Sequence, residues 1–273
     1  MKQPARAYLF VPGNRPDRYH KALAAGADTV VIDLEDAVPP ADKDAARETL
    51  ARWLTPAHHV VVRINAADSA WFNQDLALLT HAGIAGVMLP KAESSGDIAA
   101  LRRVCGNLPV LPLIETAAGF HGIGGIAASA GVQRLVFGSV DLQADLGMAC
   151  EDEELLYFRS AIVLASRLAG LEAPVDGACT TIDDPGQLAS EALRARRLGF
   201  GGKLCIHPRQ VPVVMESFSP TESQIRWALR VIEADKRAAG AAVSVDGKMV
   251  DRPVVLKAMA TLGEAGMDPA VDP

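Results

Sequence analysis

No stretch of this sequence is long and apolar enough to cross a bilayer. The start, MKQPARAYLFVPGNRP, holds only a five-residue apolar run before Pro12 and Gly13, too short for a signal peptide, so the expected location is the cytoplasm. Disulfide chemistry is missing too: the four cysteines, Cys105, Cys150, Cys179 and Cys205, are scattered, form no CxxC pair and are expected as reduced core residues. His20, His58, His59, His81 and His121 show no metal-ligand spacing. There is no excess of positive charge; 27 basic against 33 acidic residues, a formal net of −6, argues against nonspecific nucleic-acid binding and leaves room for a local basic pocket. The PGNRP turn at 12–16 lacks the lysine and hydroxyl of a Walker loop, and neither a solenoid repeat nor a low-complexity linker is present.

What the chain does have is alternation. Short apolar runs are separated by longer amphipathic segments throughout its 273 residues, the pattern of βα units around a parallel sheet. Eight runs qualify: Ala7–Val11, Thr29–Leu34, Val60–Ile64, Gly86–Pro90, Pro109–Glu115, Arg134–Gly138, Glu172–Asp176 and Gly202–His207. Their near-continuous apolar character implies strands covered on both faces. The expected fold is an α/β (β/α)8 TIM barrel over residues 1–218, followed by a helical C-terminal extension over 219–273. Asp184, Pro185 and Gln187 predict one helix start, and Ser219, Pro220 and Glu222 a second. Gly26, Gly83, Gly170 and Gly199 each follow a helical stretch where a left-handed cap is wanted. The extension reads as an amphipathic helix over about 221–239, a turn at Asp246–Gly247 and a last segment over 251–264.

In such a barrel, polar residues at the carboxyl ends of strands are candidates for chemistry. Glu115, in PVLPLIETAAGF, and Asp141, in RLVFGSVDLQADLG, each follow an apolar run, where an unpaired carboxylate is costly. An oxygen-only pair without Cys or His suits Mg²⁺ or Mn²⁺ shared with an oxygen-rich substrate; alternatively each acid caps a helix or pairs with an arginine. Arg63 interrupts the third run, and its fork suits a substrate carboxylate or a salt bridge to Asp33 or Asp36. Of Glu35 and Asp36, one can hold a metal-bound water or orient Arg63 while the other faces away, and Asp36 is expected to be the supporting one. Asn65, Lys91, Asp176 and His207 complete the strand-end set. Lys91 suits a phosphate or carboxylate, whereas His207, alone before a proline, reads as a hydrogen-bonded loop residue more than a base. Arg15, Arg18 and Lys21 either meet an anionic cofactor or form a solvated helix start.

With these residues in view, the chain resembles the citrate lyase β-subunit branch of the HpcH/HpaI aldolase superfamily. The likeness runs through LFVPGNRPDRYHKALAAGADTVVIDLEDAV, VRINAADS, MLPKAES, LIETAAG, FGSVDLQADLG, LGFGGKLCIHPRQV and DGKMVDRPVV, and covers nearly the whole chain. It implies a barrel lyase, usually a homotrimer, that breaks or forms a carbon–carbon bond next to a thioester. It puts Glu115 and Asp141 on the metal and Arg63 on the substrate carboxylate, and sets Asp251, in GKMVDRP, to proton transfer in a neighbouring subunit's site. Asp251 equally suits an N-cap for the last helix. The implied substrates are a 2-oxo acid with an acyl-CoA thioester such as citramalyl-CoA or malyl-CoA, and the basic residues Arg15, Lys21 and Lys91 are candidates for CoA. Three alternatives stay open. They are a citrate lyase β subunit with acyl-carrier and transferase partners acting on a citryl thioester, an aldolase on free 2-oxo acids, and a non-catalytic barrel.

Overall fold

The computed structural model describes residues 4–149, 153–238 and 241–267. Eight strands, β1 (Ala7–Pro12), β2 (Thr29–Asp33), β3 (Val60–Arg63), β4 (Ile84–Leu89), β5 (Val110–Ile114), β6 (Val136–Phe137), β7 (Val175–Asp176) and β8 (Gly202–Cys205), close in sequence order into a parallel barrel. The ring is sealed where Ala7, Tyr8 and Leu9 of β1 pair with Lys203, Leu204 and Cys205 of β8. The expected (β/α)8 architecture is therefore present. β6 and β7 are shorter than their apolar runs. Pro174 offers no N–H to a ladder, and the Arg134 guanidinium turns to the carbonyls of Ala5 and Ala173 and the Tyr8 hydroxyl.

Strand alternation sorts the side chains. Tyr8, Val31, Val61, Met88, Leu111, Leu113, Val136, Val175 and Leu204 fill the barrel interior, while Leu9, Val30, Ile32 and Val62 are covered from outside. Two residues beyond Val31, Val61 and Leu113 stand Asp33, Arg63 and Glu115, so the period of two carries these polar groups onto the same inward face at the barrel mouth. Asp176 and Lys203 have the opposite parity. Asp176 accepts from Arg159 Nε at 3.0 Å and Lys203 Nζ at 3.0 Å, and Lys203 also reaches Glu191 at 3.2 Å, all between sheet and helices. Asp176 is thus a strand-end acid that belongs to the packing layer.

The connections follow the expected chemistry with one correction. Asp184 accepts from the Gln187 N–H at 2.9 Å and caps helix Pro185–Leu198. The second start lies at Thr221, not Ser219. Thr221 and Gln224 form a reciprocal capping box, whereas the Ser219 N–H is taken by the Glu216 carbonyl of the preceding turn. Gly83 sits at φ +97 with the Thr55 carbonyl oxygen 2.1 Å from where a Cβ would stand, so only glycine fits between Ala82 and β4. Cys105, Cys179 and Cys205 are buried free thiols; Cys150 lies outside the described residues.

The described chain divides into two compact units, the barrel over Ala5–Met215 and a second unit from Glu216 onward. In the second, helices Glu222–Arg237 and Arg252–Glu264 flank a hairpin of β9 (Val243–Val245) and β10 (Lys248–Val250), around Ala228, Val231, Val250, Val255, Ala258 and Leu262. Asp246 and Gly247, at φ 52 and 73, make its two-residue turn. No helix of the described residues is long and apolar enough to cross a membrane.

The Asp176 cluster is testable. Burial pushes its carboxyl up, and Lys203 and Arg159 outweigh that effect, holding it below the ordinary carboxylate range. A depressed folded value contributes stability above the unfolded pKa and loses it as pH falls through the folded one. Asp176→Asn is therefore expected to cost about 3–5 kcal/mol in urea unfolding at pH 7, with the gap to wild type narrowing only at strongly acid pH.

Candidate active site

At the carboxyl end of the barrel opens a cavity of about 380 Å³. Its floor and wall are apolar, from Phe10, Leu113, Phe137 and Leu204, and its polar lining comprises Asp33, Asp36, Arg63, Glu115 and Asp141 among others. Four carboxylates against one guanidinium leave the lining electronegative, in the place where the fold puts reacting groups.

Arg63 is 8% exposed, with a carboxylate on each side of its guanidinium. Its Nε and Nη2 donate to Asp33 at 2.7 and 2.6 Å, and its Nη1 lies 3.0 Å from Glu35 and 3.5 Å from Asp36. The Phe10 ring lies under it at 4.9 Å. Burial works against this charge and Asp33 outweighs it, so the guanidinium stays protonated. The salt bridge and the cavity-lining role coexist. Asp33 takes the forked edge, and one Nη2 hydrogen is left over among the described contacts. Asp33 is locked in turn by the N–H groups of Glu35 and Ala37 at 2.9 and 3.1 Å. Glu35, rather than Asp36, is the buried partner: it bridges Arg63 to the Lys91 ammonium, 2.8 Å away, while the Asp36 side chain is 55% exposed.

Glu115 is 1% exposed and only half satisfied. Its Oε1 accepts from the Lys91 N–H at 2.8 Å, a bond made with Lys91 in the left-handed region at φ 46. Its Oε2 is buried without a hydrogen-bond partner. A Cβ at Gly138 would stand 2.4 Å from that oxygen, so glycine is required where β6 passes the carboxylate. Burial, then the Asp141 carboxylate on the first turn of helix Ser139–Leu146, raise the Glu115 pKa to about 8, against the opposing pull of Arg63. An orphaned buried carboxylate oxygen beside a second acid fits a hard divalent cation such as Mg²⁺ or Mn²⁺. Among the described residues no group of three or more His, Cys, Asp or Glu could hold a metal, so a pair of protein ligands would leave positions for water and substrate oxygens.

A second cavity, of about 700 Å³, shares Phe10, Pro12 and Ile206 with the first and is lined by Arg18, Lys21, His207 and Arg209. Arg15 is elsewhere, paired with Asp17 at 2.8 Å on the surface. His207 is the hydrogen-bonded loop residue expected, its Nδ1 accepting from the Arg209 N–H at 3.1 Å. Asp251 caps helix Arg252–Glu264 within the second unit, accepting from the Val254 N–H at 3.4 Å.

The model of the HpcH/HpaI aldolase/citrate lyase family matches residues 6–208. The chain belongs to that family and is a lyase. It is 38% identical to a citrate lyase subunit beta-like protein of Deinococcus radiodurans, over 94% of this chain and 96% of that one. It is 33% identical to a (3S)-malyl-CoA thioesterase of Cereibacter sphaeroides, over 96% and 95%. Among solved structures, CitE of Mycobacterium tuberculosis in complex with magnesium, acetoacetate and coenzyme A superimposes with a TM-score of 0.86 at 37% identity, covering 96% of this chain and 98% of that one.

Sequence reasoning missed the layer beneath this lyase site. Lys43, Asp75 and Arg47 lie on helical segments, where a lysine or aspartate reads as solvated surface, yet Lys43 is 6% and Asp75 0% exposed. Runs of charge such as DKDAARE carry no mark that one member turns inward.

The raised Glu115 pKa has a definite sign. Between the ordinary 4.5 and about 8 the folded chain holds a proton that the unfolded chain has lost, so cation-free stability falls as pH rises through that window. Glu115→Gln is expected to remove this slope and to melt higher than cation-free wild type above pH 8. Added Mg²⁺ should stabilise wild type increasingly with pH and leave Glu115→Gln unmoved. Equal Mg²⁺-induced shifts in the two proteins would exclude Glu115 as a ligand.

Proposed function

We propose that this lyase cleaves a 3-hydroxyacyl-CoA thioester, such as malyl-CoA or citramalyl-CoA, into a 2-oxo acid and a shorter acyl-CoA in a magnesium-dependent reaction. The observation that carries the reading is the unpartnered Glu115 oxygen beside Asp141 and Arg63 at the barrel mouth. It is supported by the magnesium, acetoacetate and coenzyme A held by the similar M. tuberculosis protein, and by the malyl-CoA thioester in the name of the C. sphaeroides relative.

In this reading Glu115 and Asp141 would hold Mg²⁺, for which Mn²⁺ would be a substitute, beside the place of the 2-oxo acid. The bound cation supplies Lewis-acid stabilisation of the carbonyl product's oxygen. Arg63 offers its remaining Nη2 hydrogen and its charge to the substrate carboxylate, and the Asp33 clamp keeps the guanidinium from turning away. The apolar wall of Phe10, Leu113 and Phe137 excludes water from the carbon that becomes an enolate. In the cleavage direction a base takes the hydroxyl proton, the carbon–carbon bond breaks, and the thioester enolate is then protonated. Asp36, at the exposed rim, and Asp251 from a neighbouring chain are the candidates for these transfers. The second cavity, with Lys21, Arg18 and Arg209, suits the phosphates of CoA, with Arg15 and Lys91 as outer charges. A homotrimer in the cytoplasm completes the proposal. The runner-up is a citrate lyase β subunit working with acyl-carrier and transferase chains; a citrate lyase subunit beta of Leuconostoc mesenteroides is 34% identical over 98% of this chain.

The test is a thioester screen with malyl-, citramalyl- and citryl-CoA, run with Mg²⁺ and with chelator. Cleavage that needs Mg²⁺ is expected, and silence on every CoA thioester with turnover of citryl-acyl-carrier protein would favour the runner-up. Arg63→Lys is expected to lower kcat/KM by about 100-fold, since a point-like ammonium reproduces neither the Asp33 clamp nor the substrate contact. Wild-type pyruvate and glyoxylate binding by Arg63→Lys would make Arg63 purely structural. Mixing Asp251→Asn with Arg63→Ala chains should restore part of the activity if Asp251 serves a neighbour. No complementation, in mixtures shown to exchange subunits, would confine Asp251 to its cap.

A further inference from the structure

Lys43, on the first turn of helix Lys43–Trp53, has no place in the chemistry above, yet it is 6% exposed. Its Nζ donates to the Leu34 carbonyl at 2.7 Å, the Glu35 carbonyl at 2.8 Å and Asn65 Oδ1 at 2.7 Å. Three donors meet three acceptors, so the ammonium is saturated. None of the acceptors is a carboxylate. A buried cation held by three dipoles and the face of the Trp71 ring, 5.2 Å away, is an expensive way to satisfy two carbonyls, which a water or a serine can do as well.

The acceptors show what the charge gathers. Leu34 and Glu35 are the residues just past β2, and Asn65 lies just past β3. Asn65 is itself fixed: its N–H and Nδ2 donate to Asp75 Oδ2 at 2.8 and 2.6 Å, and Asp75 Oδ1 accepts from Arg47 Nε at 2.9 Å. Lys43 thus laces together the ends of the two strands that carry Asp33 and Arg63. The Glu35 whose carbonyl it holds is the one whose side chain bridges Arg63 and Lys91. Burial pushes the Lys43 ammonium below the ordinary lysine range, opposed by Glu35, Asp33 and Asp75, none of which it touches through a carboxylate.

We propose that Lys43 is a positioning residue of this active site, its buried ammonium holding the Leu34–Glu35 backbone against Asn65 so that Asp33 and Glu35 stay aimed at Arg63. This rests on the functional reading above for its kinetic and pyruvate-binding readouts, and the crystal-structure readout below is independent of it. The variant is full-length Lys43→Met, close in length and unable to donate. With wild type as reference, pyruvate binding in saturating Mg²⁺ is expected to weaken at least tenfold and kcat to fall at least thirtyfold. Affinity for Mg²⁺ alone should stay within threefold, because Glu115 and Asp141 follow β5 and β6. A Lys43 that served stability only would lower the melting temperature and leave pyruvate affinity and kcat of the folded protein unchanged, which would overturn the proposal.

Two further measurements keep the outcome decisive. In a double variant with Glu35→Gln, the loss should be little more than that of the worse single variant; additive losses would show that Lys43 does not act through this turn. The crystal structure of Lys43→Met should show Glu35 withdrawn from Arg63 and Lys91, and both contacts intact would refute the inference even if wild type proved inactive on every thioester. If Lys43→Met fails to fold, Asn65→Ala, which removes one acceptor and spares the ammonium, takes its place. It is expected to weaken pyruvate binding about fivefold, and wild-type binding by it would be equally fatal.

Discussion

The clamp between Asp33 and Arg63 is the interaction on which the rest of the site depends. It joins the last residue of β2 to the last residue of β3, inside the barrel, in the bidentate geometry that a guanidinium fork makes with a carboxylate. Breaking such a pair leaves a buried charge without compensation, so its members stay together and hold the strand ends in register. Glu35 extends the clamp to Lys91, and Lys91 extends it through its N–H to Glu115. From strand β2 to strand β5 one continuous polar chain therefore runs around half of the mouth, each link made by a group whose other valence is spent on the next.

The chain stops short at one atom. Glu115 Oε2 is buried against Gly138, feels the nearby Asp141 carboxylate, and finds no donor. Folding would ordinarily supply one, since an orphaned buried acceptor costs about 1–3 kcal/mol and more when charged. In the proposed reading its partner is a hard cation that Asp141 would share. Lys91, in the left-handed region, serves the other oxygen with its N–H, while Gly138 leaves room for Oε2 and an apolar wall lines the pocket around it.

Two buried ionic clusters, built from similar residues, serve opposite ends in this protein. Asp176, Lys203, Arg159 and Glu191 pair with each other between sheet and helices, away from the cavity. Asp33 and Arg63, tied through Glu35 to Lys91, line an open cavity with acids to spare. The difference is strand parity. A polar residue an even number of positions from an interior valine faces the mouth, and one an odd number away faces a helix.

Most of the barrel was legible in the chain itself, for a local reason. Continuous apolar runs of five or six residues, punctuated by helix caps and by glycines such as Gly83, state where strands begin and end, because those signals act on neighbours in sequence. Glu115 stands just past β5 as expected, whereas Asp141, expected at a strand end, stands on the first turn of the helix that follows β6. Tertiary structure alone decided what each polar residue does with its charge: that Arg63 spends its fork on Asp33, that Glu35 rather than Asp36 is buried, and that Thr221 outcompetes Ser219 as a cap. It also decided that Lys43 and Asp75, indistinguishable in sequence from solvated helix residues, lie beneath the site. Hydrogen bonds and ion pairs between residues 20 to 60 positions apart are set by where the closed barrel brings the strand ends, and no spacing along the chain encodes that meeting.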